Sequence, residues 1–190
     1  MKRGFKLLIL SDLLIIMAFG LISPILAIFI KEDLIGGSAF AAGLSISIYL
    51  FTRAVFGIPF GRVEDHHAKK RFLLIGTYLI AIAPLGYYFL NNIYQLYLVQ
   101  FMYGFGAAMA FPAFGALFIH YMDHGKEAYE WSVYGTVIGL GTAVTALVGG
   151  AIVQRFGFNY LFLATFIICM IGSTVLVFIP PEHFKNKIRK

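Results

Sequence analysis

Charge is what this chain has least of. Asp, Glu, Lys and Arg make up only 13% of its 190 residues, while 60% are hydrophobic. A soluble domain is about a quarter charged, so that class is set aside. Cysteine is nearly absent: the single Cys169 excludes a disulfide within the chain and says nothing about redox compartment. No Gly-x-Ser-x-Gly occurs, the fourth apolar segment has no serine and the sixth has no histidine. A six-span intramembrane serine protease is therefore excluded, other catalytic signatures are missing too, and the chain is not read as an enzyme. The histidines, His66, His67, His120, His124 and His183, fall in connections or at segment ends. No metal site and no cofactor is expected from them. The formal charge of +6 is scattered over tails and short connections, with no motif that reads nucleic acid beside it.

What is there is long apolar sequence. Six segments of 19–26 residues stand out, at 7–30, 40–60, 72–90, 94–119, 132–153 and 160–179. Each is long enough to cross a hydrocarbon core of ~30 Å as a helix. Backbone groups in lipid must be satisfied within the segment, so helices are the expected form. The segment 7–30 is longer than a signal-peptide core and has no small-residue cleavage site before Lys31, so it is read as a retained first span. The expected fold is an all-α membrane protein, one six-helix bundle over 1–190 in contact with the lipid bilayer.

Positive residues choose the orientation. Lys2, Arg3 and Lys6 precede the first span; Arg62, Lys69, Lys70 and Arg71 fill the second connection; Lys126 lies in the fourth, and Lys185, Lys187, Arg189 and Lys190 follow the sixth. The other side has only Lys31 and Arg155. By the positive-inside rule both termini are cytoplasmic, in a plasma (inner) membrane.

Polar residues inside the spans form two stripes. Asp12, Gly20, Ser23 and Pro24 share roughly one face of the first span; Ser45, Tyr49, Thr52 and Arg53 share one face of the second. Either stripe is a cavity wall or simple glue between helices. Asp12 and Arg53 are the two charges within spans, where each costs about 2.5–3.5 kcal/mol on insertion scales. Counted from the span ends they lie ~8 and ~12 Å deep. They either pair with each other or with a solute, or they snorkel to the headgroups. The third span has no sharp polar feature and reads as a lipid-facing scaffold with Pro84 as a kink. Tyrosines within spans, Tyr49 apart, are read as packing more often than ligand. In the polar connection 122–131, Asp123 is the candidate helix cap and Trp131 an interfacial anchor.

Gly61-Arg62-Val63-Glu64-Asp65-His66-His67-Ala68-Lys69-Lys70 resembles the signature loop of the major facilitator superfamily of transporters. That signature runs Gly, three residues, Asp, a basic residue, any residue, Gly, then two basic residues. Gly61, Asp65, Lys69 and Lys70 fit; His66 stands at the first basic position and Ala68 at the second glycine. Gly57 and Gly61 are spaced for close helix approach. Gln100, four residues before Gly104, stands where relatives that exchange drugs for protons often have an arginine. In the fifth span Gly141, Gly149 and Gly150 fit the antiporter signature, with Thr145 and Ala146 in place of its central Gly-Pro. The proline bend associated with exporters is therefore absent.

The resemblance covers the whole chain as one half of a twelve-span protein, itself a 3+3 inverted repeat. It implies transmembrane transport of a small-molecule solute by alternating access. The expected cavity residues are Asp12, Tyr49, Arg53 and Gln100. Gly61, Asp65, Lys69 and Lys70 form the expected gating loop, and Gly57, Gly141, Gly149 and Gly150 the packing positions. A homodimer would supply the second half. A non-transporting scaffold, or one half of a hetero-oligomeric transporter, is the alternative.

Overall fold

The computed structural model describes residues 3–180. Lys2, His183 and the basic positions Lys185, Lys187, Arg189 and Lys190 lie outside the described residues. Seven α-helices follow one another: α1 Arg3–Ile22, α2 Leu26–Asp33, α3 Ala39–Asp65, α4 Lys69–Tyr88, α5 Ile93–Tyr121, α6 Glu127–Phe156 and α7 Phe158–Val175, the last continued by a 3-10 turn at Leu176–Phe178. Six of these helical segments are long and apolar enough to cross a membrane.

The first span departs from the expected 7–30. It starts earlier and is broken at Ser23–Ile25, and α2 resumes beyond the break. Pro24 is the cause: it has no N–H for the carbonyl four residues back, and its ring restricts the residue before it. The second connection is also shorter than expected. Gly61, Arg62, Glu64 and Asp65 are helical, and the turn is His66–Ala68. Gly61 is thus no turn glycine; a side chain there would first meet Pro112 Cβ of α5, at 3.9 Å. The helix starts are set locally. Ser38 Oγ accepts from Ala41 N–H at 3.0 Å, and Asn92 Oδ1 accepts from Tyr94 and Gln95 N–H at 3.1 Å each. Asp123 does not cap α6, which begins after Lys126 with no side-chain cap. Acceptors from its own first turn serve that end: Glu127 takes the Gly125 N–H, and Glu130 Oε2 takes the Asp123 N–H at 3.1 Å.

The packing shows the repeat. In the first triplet α1, α3 and α4 are the spans; in the second they are α5, α6 and α7. The leading helix of each triplet packs on the later two of the other: α5 on α3 and α4, α1 on α6 and α7. The α4–α7 contact joins the two third helices. Swapping the triplets maps this pattern onto itself, as an inverted repeat requires.

Small residues make the close contacts. At Gly76 of α4 an added Cβ would lie 2.6 Å from both Gly106 O and Ala110 N of α5, and at Gly149 of α6 it would run into the Leu21 carbonyl of α1. Gly141 abuts Met17. Gly57 and Gly150 have open space instead. The third span is not a lipid-facing scaffold. Leu73, Gly76, Thr77, Ile80, Ala81, Pro84 and Tyr87 are buried, because glycine and alanine draw α4 onto α5. The outer faces of α3 and α6 are the bare ones: on α6 only Glu130 and Gly149 are buried.

Candidate functional site

Asp12 lies nine residues into α1 and Arg53 twelve residues before the end of α3. Because both helices run further than their apolar segments, these positions are ~14 and ~18 Å along the helix from those ends. Both line a cavity of about 470 Å³ bordered by α1, α3, α4, α5 and α6.

The two charges do not pair with each other. The Tyr134 hydroxyl of α6 donates to Asp12 Oδ2 at 2.5 Å. Arg53 donates from Nη1 to the Tyr49 hydroxyl at 3.5 Å, and its guanidinium carbon sits 4.0 Å from the centre of the Phe111 ring of α5. Each charge is thus held by neutral aromatic neighbours: a hydrogen bond in one case, a weak hydrogen bond plus a cation–π contact in the other. The Ser11 hydroxyl also lines the cavity; it is buried and makes no hydrogen bond. The wall around Asp12 is aromatic. Phe118 stands edge-on to Trp131 and to Tyr134 with centroids 5.1 and 5.0 Å away, and Phe114 adds a fourth ring.

Gln100 lies elsewhere. It is buried on α5 and lines a second cavity of about 260 Å³ with Ser23, Ala42 and Tyr87, toward the α2 end of the bundle. Phe19, Tyr49 and Tyr103 border both cavities. Their rings stack as one partition, Tyr103 lying 4.7 Å from Phe19 and 4.4 Å from Tyr49, at interplanar angles of 3° and 23°. Gly104 makes this possible: an added Cβ would sit 2.6 Å from Tyr49 O, so only glycine lets α3 and α5 come this close. The expected single cavity of Asp12, Tyr49, Arg53 and Gln100 is therefore two chambers, with Tyr49 in the wall between them.

The stripe on α3 divides the same way. Tyr49 and Arg53 face cavity space, whereas Ser45 and Thr52 are buried, Thr52 against Gly104. Asp65 is exposed and borders neither of these chambers. Lys69 Nζ donates to Glu64 O at 2.9 Å. Lys70 Nζ donates to Val177 O and Ile179 O at 2.8 and 2.6 Å, tying the loop to the end of the sixth span. Among the described residues no group of His, Cys, Asp and Glu is placed to hold a metal ion.

Sequence reasoning missed Tyr134, Tyr103, Phe19 and Ser11. Tyr134 and Tyr103 do pack against the core, and they line the cavity as well; Trp131 lines it too, besides standing at a helix end. The usable signal was spacing: Tyr103 immediately precedes Gly104, and Trp131 and Tyr134 lie three apart on one face.

Residues 8–190 match the family model described as Major Facilitator Superfamily. The chain is 25% identical over 138 residues to an uncharacterized MFS-type transporter of Methanocaldococcus jannaschii, covering 73% of this chain and 35% of that one. It is 25% identical to the multi-drug resistance efflux pump PmrA of Streptococcus pneumoniae, covering 88% and 42%. Against the inner membrane transport protein YajR of Escherichia coli the identity is 25%, covering 82% and 34%. Among solved structures, the POT family transporter PepTSo superposes with a TM-score of 0.73 at 15% identity, over 96% of this chain and 40% of that one. The chain thus spans well under half the length of these relatives.

Proposed function

Since the chain belongs to the major facilitator superfamily, we propose that it moves a small solute across the membrane by alternating access, as one six-helix bundle rocking against a second. The reading rests on the Asp12–Arg53 chamber. Two half-buried charges ~14 and ~18 Å along apolar helices are costly, and neither cancels the other, so their presence calls for another partner. A solute site does so. The aromatic stack supplies a boundary between chambers toward opposite ends of the bundle. Arg62, Lys69, Lys70 and Arg71 mark the Asp65 end, and with it the N-terminus, as cytoplasmic. The membrane is the plasma (inner) membrane.

The second bundle is another copy of this chain, related by a twofold axis along the membrane normal. It covers the bare faces of α3 and α6, where Gly43, Gly57, Gly135, Gly139 and Gly150 have open space. Asp65 then comes near the start of the partner's α6. Glu127 and Glu130 already occupy that end, so Asp65 is expected to meet the exposed side at Ser132. Cysteines at Asp65 and Ser132, one per differently tagged copy in a Cys169→Ala background, should form a disulfide on oxidation in the membrane. A monomeric mass with no crosslink would remove the homodimer.

Transport is tested at Arg53. In Arg53→Cys with Cys169→Ala, an impermeant thiol reagent should reach position 53, and an added solute should slow the reaction. A non-transporting scaffold predicts no labelling from either side.

A further inference from the structure

We infer that the 470 Å³ chamber takes a small zwitterion with an apolar or aromatic body, its cationic end at Asp12 and its anionic end at Arg53. This rests on the transport reading and narrows its solute. The chamber volume is within the ~300–1,000 Å³ usual for small-molecule sites. The charges on its walls have opposite signs, yet no ion pair joins them: Asp12 is bonded to Tyr134, and Arg53 to Tyr49. Both keep unused capacity. Asp12 has a second carboxylate oxygen, and a guanidinium has five N–H donors, of which Arg53 uses one on Tyr49.

An ion of one sign would be attracted by one wall and opposed by the other. A zwitterion compensates both and brings no net charge into the membrane. Ser11 also borders the chamber, but its hydroxyl is shut away from the open space and does not define the ligand. Phe114, Phe118 and Trp131 offer an apolar, aromatic wall for the body of the solute.

Trp131 is the one tryptophan in the chain and it lines this chamber, so its fluorescence reports the site directly. The full chain in lipid nanodiscs is titrated with two matched triplets: phenylalanine, phenylethylamine and 3-phenylpropionate; leucine, isoamylamine and 4-methylpentanoate. In at least one triplet the zwitterion should shift Trp131 emission saturably, with a Kd at least tenfold below both single-charge analogues. Asp12→Asn should move the preference toward the acid and Arg53→Gln toward the amine, while Asp12→Glu and Arg53→Lys keep the zwitterion first. The wild-type comparison decides alone if a variant does not fold. A single-charge analogue binding as tightly as the zwitterion in both triplets, or no saturable response to any of the six, overturns the inference. An amine or acid that wins leaves the transport reading standing; absence of any labelling at position 53 would remove that reading instead.

Discussion

Tyr134 of the fifth span donates its hydroxyl hydrogen to Asp12 of the first across 2.5 Å. The carboxylate of one triplet is thereby held by the other triplet, and Arg53 is left to its own aromatic neighbours. Losing the donor leaves the half-buried Asp12 carboxylate with that bond unmade. Tyr134→Phe should therefore cost about 1.5–3 kcal/mol, the range for hydrogen bonds to charged groups.

The coupling should follow the contacts. Asp12→Asn and Tyr134→Phe together should destabilise by less than the sum of the singles. Asp12→Asn and Arg53→Gln share no partner and should add to within ~0.5 kcal/mol. Melting temperatures of the three singles and the two doubles in detergent check this. Strong non-additivity between Asp12 and Arg53 would instead mean that they pair.

The three-ring partition predicts a leak when its middle ring is removed. With Gln100→Cys and Cys169→Ala as background, an impermeant thiol reagent is applied from the His66–Ala68 side. Adding Tyr103→Ala should speed labelling several-fold by joining the two chambers. An unchanged rate would show that the stack does not separate them.

Glycines in the same signature should respond differently. An added Cβ at Gly149 runs into the Leu21 carbonyl, so Gly149→Ala should cost about 1–3 kcal/mol through overpacking. At Gly150 the space is open, and alanine there should leave the single chain's melting temperature unchanged. Its effect should appear only in the dimer fraction, read by crosslinking of Asp65→Cys with Ser132→Cys.

Topology is open to direct labelling. Single cysteines at Ser38 and Ala68 in the Cys169→Ala background lie at opposite ends of α3. In intact cells an impermeant reagent should reach position 38 and not position 68. The reverse would invert the orientation.

Sequence alone determined the six spans. Apolar segments of membrane-crossing length must become helices, because lipid offers no partner for an open backbone. The motif from Gly61 to Lys70 identified the architecture, and two charges in apolar surroundings marked where cost is tolerated. Tertiary structure decided the rest. Whether Asp12 meets Arg53 or Tyr134 depends on which helices are neighbours, and α1 packs on α6, 122 residues away in sequence at that contact. That Gln100 is walled off from Arg53 depends on three rings from α1, α3 and α5 meeting face to face, which Gly104 permits. Spacing along one helix places a side chain on a face. It carries no information about which other face closes over it, and that pairing set the chamber's charges, walls and depth.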